Sequence, residues 1–552
     1  MRQATFAGVA LALLTQNFTR ASQVPLRVDS DSWNLDVSPN INATGRLVFD
    51  TVSSFLQHWP NTRYRNGHNL VPGTVPVGTL LYHGRGDSNL PAGADWVATD
   101  PEHSVIFCRG SSEAGCWHLT LIASRPLKVL YFDGSSAAKM RDGPMDSQDV
   151  VGWGKVSPER FFDEKKRIFD LCNWGKSLEI DGYVRMEMDF EIMLCDFKEG
   201  VDVVAMANLA SQGRGGPGGP RRRPQDVVHT DNSTFPPLAL ASVSQVIQSG
   251  SWHNRYPGDR RIKLDLTRLI SFYDTSLVPS LVSKRFGLER WDHRLLGISS
   301  EDIAAVLGKL TDAYTAPPQA GSGVDWDTLF KVIVDRYGDR FELLRYVLNA
   351  TSDADPLVTA KNAMSQFRVM LHPYILHAAA PVPGSADTAW ATPVYKFCAT
   401  SHTSYIRRSA ALSALLTASE HLLLNAVEEV NREICRMVVG MWAEGVTAGL
   451  DDALPVDPPI AHDSAVLMRK WQTTVNDLMT WLDWSVWIKC RPACGFEEMC
   501  YLPTWPFGGG GGGRGGPPPR DSPDGPPASP VHPDSVAEPD YLRPQPQCVR
   551  RL

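Results

Sequence analysis

The sequence predicts an α+β fold: a mixed α/β domain, then an all-α helical domain, then an unfolded tail. Three observations carry this. Up to about residue 275, short runs of strand formers alternate with turn residues and single amphipathic segments. From Ser276 onward the apolar residues recur at helical spacing. From Gly508 the chain becomes a glycine run and then a proline-rich stretch too polar to build a core. A length of 552 residues implies two or three domains, and a hydrophobic content of 43% is ample for their cores. The net charge of −7 and the lack of a basic stripe argue against nucleic acid as a partner.

The chain opens with Arg2, an apolar run over residues 6–14, and Thr19-Arg20-Ala21. A charged start, a short apolar stretch and a small residue at a cleavage position form the pattern of a secretory signal peptide, here residues 1–21. The run is shorter than the roughly 20 apolar residues of a membrane span, and no later segment is long enough either, so the expectation is a secreted, extracellular protein with no transmembrane segment. The ten cysteines suit an oxidising compartment. Cys108 and Cys116 are spaced to close a small loop; Cys172 with Cys195, and Cys398 with Cys435, are further pairings the spacing allows. Asn42, Asn232 and Asn349 are glycosylation acceptors by sequence, a weaker sign of the same route.

The α/β domain is expected over residues 22–275. An amphipathic helix is read at Leu47, Phe49, Val52, Phe55 and Leu56. Residues 117–134 hold two strands broken by Arg125-Pro126, the second half-exposed, with Asp146, Ser147, Gln148 and Asp149 in a loop beyond. Residues 158–174 read as a helix with Phe161, Ile168, Phe169 and Leu171 inward and Glu164, Lys165, Lys166 and Arg167 mostly outward. Two strands follow around a turn at Asp181-Gly182, and the alternation of Glu187, Asp189 and Glu191 with Met186, Met188 and Phe190 puts three carboxylates on one face. A Gly/Pro/Arg-rich insertion at residues 211–226 holds Arg221, Arg222 and Arg223, read as a solvated surface run.

The helical domain is expected over residues 276–505. Ser299 caps a helix carrying Ile303, Val306, Leu307 and Leu310, and residues 326–348 form a longer one. Apolar stripes over residues 402–442 and 465–489 complete a bundle, in which Trp481, Trp484 and Trp487 are read as core rather than as a partner face. Cys490, Cys494 and Cys500, with Cys548 as a further candidate member, suggest a disulfide knot rather than a zinc site, and residues 506–552 a disordered tail.

Residues 79–107 hold the candidate site. Leu80, Leu81 and Tyr82 lead as a strand into His83-Gly84 and a Gly/Asp/Asn-rich loop. A second short strand, Trp96-Val97-Ala98, then meets the turn Asp100-Pro101 and a helical turn carrying Ser104 and Phe107. Polar groups at strand ends beside loops are where α/β proteins commonly bind ligands, and Gly84 lets a ligand approach the backbone.

Tyr-His-Gly at a strand end, then Trp-Val-Ala-Thr-Asp, then Ser and Phe, resembles the first two NAD-binding motifs of the ADP-ribosyltransferases of the His–Tyr–Glu branch, and Glu191-Ile192-Met193-Leu194 resembles the third. The resemblance covers residues 71–209, about a quarter of the chain. It implies that His83 binds a ribose hydroxyl, that the Gly84 backbone grips the nicotinamide carboxamide, and that Ser104 assists there. Trp96 falls on the triad tyrosine and Phe107 on the second stacking tyrosine; both keep an aromatic face and lose a hydroxyl. Glu191 falls on the glutamate that stabilises positive charge at the ribose carbon as the glycosidic bond breaks. The function so implied is an NAD-dependent ADP-ribosyltransferase acting on an unknown acceptor, with catalytic residues Glu191 and His83, NAD-binding residues Gly84, Trp96, Ser104 and Phe107, and no metal. The alternative is a secreted binding or structural protein of the same fold. A hydrolase using Glu187, Asp189 and Glu191 ranks last, because no second acid is positioned elsewhere in the sequence.

Overall fold

Ten short strands make one mixed sheet in the first half of the chain, and helices from both halves cover it. The computed structural model describes residues 33–39, 43–107, 115–186, 188–209, 250–316, 321–349, 355–504 and 543–550. The expected signal peptide, the Gly/Pro/Arg insertion, Cys108, Glu187, Asn42 and Asn232 lie outside them. The strands are β1 Asn69–Val75, β2 Leu80–Arg85, β3 Asp95–Ala98, β4 Cys116–Ala123, β5 Leu127–Phe132, β6 Gly182–Met186, β7 Phe190–Leu194, β8 Val201–Leu209, β9 Lys263–Leu264 and β10 Ile270–Ser271. Their spatial order is β10-β1-β5-β6-β7-β3-β2-β4-β8, with β9 also on β1. Among the described strands only β5 and β6 run parallel, and the connection between them carries α4 Asp146–Trp153 and α5 Glu164–Gly175.

Strand alternation divides the apolar side chains between two layers. Val71, Val129, Tyr131, Val184 and Ile192 face a core shared with α1 Gly45–Ser53 and most helices of the second half. Leu70, Leu130, Phe132, Tyr183 and Met193 face the other side, where α4, α5 and α7 Ser300–Thr315 cover them. Of the shorter helices, α2 His58–Thr62 precedes β1 and packs its Trp59 against Tyr501, α3 Pro101–Val105 follows β3, and α6 Val282–Arg285 precedes α7. The second half continues with α8 Trp326–Asn349, α9 Pro356–Leu371, α10 Thr392–Thr400, α11 Ser404–Arg408, α12 Ala410–Leu415, α13 Ala418–Thr447 and α14 Ser464–Leu482.

α1 packs among those helices rather than standing apart. Phe49 stacks on Phe330 at 4.8 Å and on Trp484 at 5.6 Å. Asp50, buried, accepts from Arg290 at 2.7 Å and from the Ser485 backbone at 2.7 Å. Thr417 and Glu420 form a reciprocal capping box that starts α13 and breaks the expected stripe over residues 402–442. Trp484 is 1% exposed, in line with core packing. Disulfides join Cys172–Cys195, Cys398–Cys435, Cys490–Cys500 and Cys494–Cys548.

Several local expectations change. Residues 146–149 begin a helix and are buried, because Asp146 pairs with the half-buried Arg294 and Asp149 with the buried Arg167. On α5, Ile168 and Leu171 face inward as expected, but Phe169 is 60% exposed while Arg167 is 1% exposed, so ion pairing shares the inner face with hydropathy. The second of the strands broken by Arg125-Pro126 is β5, buried on both faces except at Lys128. The tail is not unstructured to its end: β12 Gln547–Arg550 pairs with β11 Glu498–Tyr501, held by Cys494–Cys548.

Candidate functional site

The expected turn at Asp181-Gly182 is instead a strand start. β6 and β7 pair antiparallel as a hairpin, with Met186 opposite Phe190 and Arg185 opposite Glu191. Asp189 and Glu191 therefore do not belong to one acidic strand face. Asp189 turns to Asp100 and His253, and Glu191 pairs with Arg185.

β7 pairs with β3, and β3 with β2, so that Glu191 lies opposite Ala98 and Ala98 opposite Tyr82. This juxtaposition, with α3 folding back after β3, gathers His83, Gly84, Trp96, Ser104, Phe107 and Glu191 around one pocket together with Tyr82, Val97 and Ala98. All six residues singled out from the sequence are there. The pocket is narrow, with about 190 Å³ of space including its opening to solvent. Small-molecule sites usually offer about 300–1,000 Å³. Phe107, on the outer wall, is 55% exposed.

His83 is largely buried and its Nδ1–H donates to the Trp96 carbonyl at 2.6 Å. Burial lowers its pKa, against the raising effects of Asp95 and of that carbonyl. The neutral ring, with Nδ1 protonated, presents Nε2 as an acceptor, which suits a hydroxyl donor. The Ser104 hydroxyl donates to the Pro101 carbonyl at 2.8 Å and meets Nε2 of His118 at 2.7 Å, so His118 donates to it. His118 on β4 also stacks on Tyr82, with ring centroids 5.6 Å apart. Sequence reasoning passed over His118, because a lone histidine in an apolar strand carries no motif.

Arg185 was also missed. It is 1% exposed, donates from Nε to Glu191 Oε1 at 2.5 Å, and is ion-paired to Glu164 on α5. Burial raises the Glu164 pKa, but Arg185 and Lys139 outweigh it and hold Glu164 down at about 2. Trp96 lies under Lys165, whose Nζ is 4.4 Å from the ring centroid and 3.0 Å from Asp95. Only the true hairpin register would have exposed the Arg185–Glu191 pair in advance.

Comparison with known proteins adds relatives without an assigned activity. The family described as the YPL277C N-terminal domain matches residues 116–214, a stretch that includes His118, Arg185 and Glu191 but not His83, Trp96, Ser104 or Phe107. The chain is similar to the uncharacterized protein YOR389W of Saccharomyces cerevisiae, 22% identical over 542 residues that cover 83% of this chain and 81% of the relative. It is also similar to the uncharacterized protein YPL277C of the same yeast, 24% identical over 418 residues covering 61% of this chain and 81% of the relative. No solved structure matches.

Proposed function

We propose that the pocket receives the nicotinamide end of NAD and that the protein is an ADP-ribosyltransferase of the His–Tyr–Glu type, cleaving NAD and passing ADP-ribose to an acceptor. One observation carries this: six residues drawn from three motifs, separated by as many as 108 positions between His83 and Glu191, line a single pocket. In this reading His83 Nε2 accepts from a ribose hydroxyl, the Gly84 backbone holds the carboxamide, and Phe107 stacks on the ring. Glu191 faces the ribose carbon, where positive charge develops as nicotinamide leaves with the bonding electron pair, and an acceptor nucleophile then takes the ribose carbon. Paired cysteines and the signal-like start support a secreted protein.

A second reading, a binding protein on the same fold, is favoured by one contact. Arg185 neutralises Glu191 across the hairpin and so weakens the negative charge that the reaction needs. Nicotinamide release decides between them. A transferase releases nicotinamide from NAD, and Glu191→Gln lowers the rate by about 10²-fold or more with affinity nearly kept. A wild-type protein that binds NAD and releases none is the binding relative.

A further inference from the structure

We propose that Asp100, Asp189 and His253 form a site for one divalent transition-metal ion, of the zinc or manganese class, at the base of the candidate pocket's loops. The proposal does not depend on the NAD reading. The three residues come from three segments: Asp100 from the turn before α3, Asp189 from the β6–β7 reversal, and His253 from the helical turn at Gly250–Asn254. One potential ligand atom from each lies within 4.8 Å of the other two.

The cluster is more than a group of acids. Asp189 and His253 are 0% exposed and Asp100 9%. Asp189 Oδ1 accepts from the Phe190 backbone at 2.8 Å, while its Oδ2 is fully buried with no hydrogen-bond partner. Buried acceptors are rarely left so, because the loss of hydration is costly. Charge points the same way. Asp100, Asp189 and Asp259 converge on His253 Nε2 at 3.0, 3.6 and 3.9 Å, and Arg261 is ion-paired to Asp100 and Asp259. Two carboxylates drawn together within 4.8 Å in a buried cluster call for a proton or a cation between them.

The spacing fits an ion. His253 Nε2 is 3.0 Å from Asp100 Oδ2 and 3.6 Å from Asp189 Oδ1. Ligands each about 2.1 Å from a common ion lie about 3.0 Å apart at a right angle and about 3.4 Å apart at the tetrahedral angle. The imidazole favours zinc or manganese over calcium or magnesium, which prefer all-oxygen shells. Arg261 is forked onto Asp100 at 2.9 and 2.8 Å and bonded to Asp259, and its Nη2 also lies 3.1 Å from His253 Nε2; an ion would replace that last contact and leave Arg261 as the outer partner that fixes a ligand carboxylate. Gly250 fits the same arrangement: a Cβ there would lie 3.0 Å from the Met188 carbonyl and 3.4 Å from the Asp189 carboxyl carbon.

The test uses the full chain, without a histidine tag, stripped by chelator and titrated calorimetrically with zinc chloride and, separately, manganese chloride. The expected result is one ion of at least one metal bound per chain, with a rise in melting temperature, and at least tenfold weaker binding in Asp189→Asn and in His253→Gln. Asp189→Asn keeps the side-chain shape and removes a buried charge, so its metal-free form should melt at or above the metal-free wild type; it decides the matter should His253→Gln fail to fold. Absence of saturable binding of either ion overturns the proposal in favour of a proton shared by Asp100 and Asp189. Binding unchanged in Asp189→Asn overturns it too, by placing the ion elsewhere.

Discussion

Arg185 and Glu191 face each other across the β6–β7 hairpin, guanidinium on carboxylate at 2.5 Å, with both side chains buried. The same arginine is ion-paired to Glu164 on α5, so one cation joins the carboxylate of the candidate site to a helix covering the sheet. Rigidity and charge at the pocket are therefore set together.

Replacing Arg185 by methionine strands the buried Glu191 carboxylate and leaves Glu164 only its longer pairs with Lys139 and Arg167. Breaking a buried pair in this way costs about 3–5 kcal/mol. Urea unfolding should show that loss, with Glu191→Gln alone costing less because Arg185 keeps Glu164.

The Glu164 pair also predicts an acid-sensitive contribution to stability. Its folded pKa, about 2, lies below the ordinary 4.5. A depressed carboxylate stabilises the fold above its unfolded pKa, and the contribution is lost as pH falls from about 4.5 towards 2. The upper scale is roughly 3 kcal/mol. Unfolding midpoints of wild type and Glu164→Gln, compared across that window, should converge at its acid end.

Cys494–Cys548 fastens β12 onto β11 and closes a loop of 54 residues. A loop of that size gives a crosslink worth about 4 kcal/mol in the chain-entropy account. Cys548→Ser should release β12, seen as proteolytic trimming of the C-terminus and faster amide exchange in β11, with the sheet around the pocket unchanged.

Much of this architecture is legible in the sequence, and what is not has a physical cause. The β2 and β3 runs, the Ser299 cap and the stripe of α8 follow from local periodicity, and the structure has them where expected. The six pocket residues could be named because motif order survives folding. The hairpin register could not: alternation of Glu187, Asp189 and Glu191 looks the same whether the chain continues or reverses after Met186. Glu164 and Arg167 read as surface charges on α5, since their inward turn depends on Arg185 and Asp149, partners distant in sequence. The His253 cluster was invisible for the same reason: its members come from three separated segments.

At the pocket, Phe107→Ala should weaken NAD binding by about 1–3 kcal/mol, the scale of a lost aromatic contact. His83→Ala should weaken it as well by removing the ribose acceptor, and both variants should keep the wild-type melting temperature within a few degrees if binding alone is affected.

The most direct test of the NAD site is calorimetric titration of the purified wild-type chain with NAD, run beside His83→Ala. Saturable binding of one NAD per chain, weakened at least several-fold in the variant, is the predicted result. No saturable binding to the wild type, or equal binding to both, would contradict it and leave the pocket a likeness of arrangement alone.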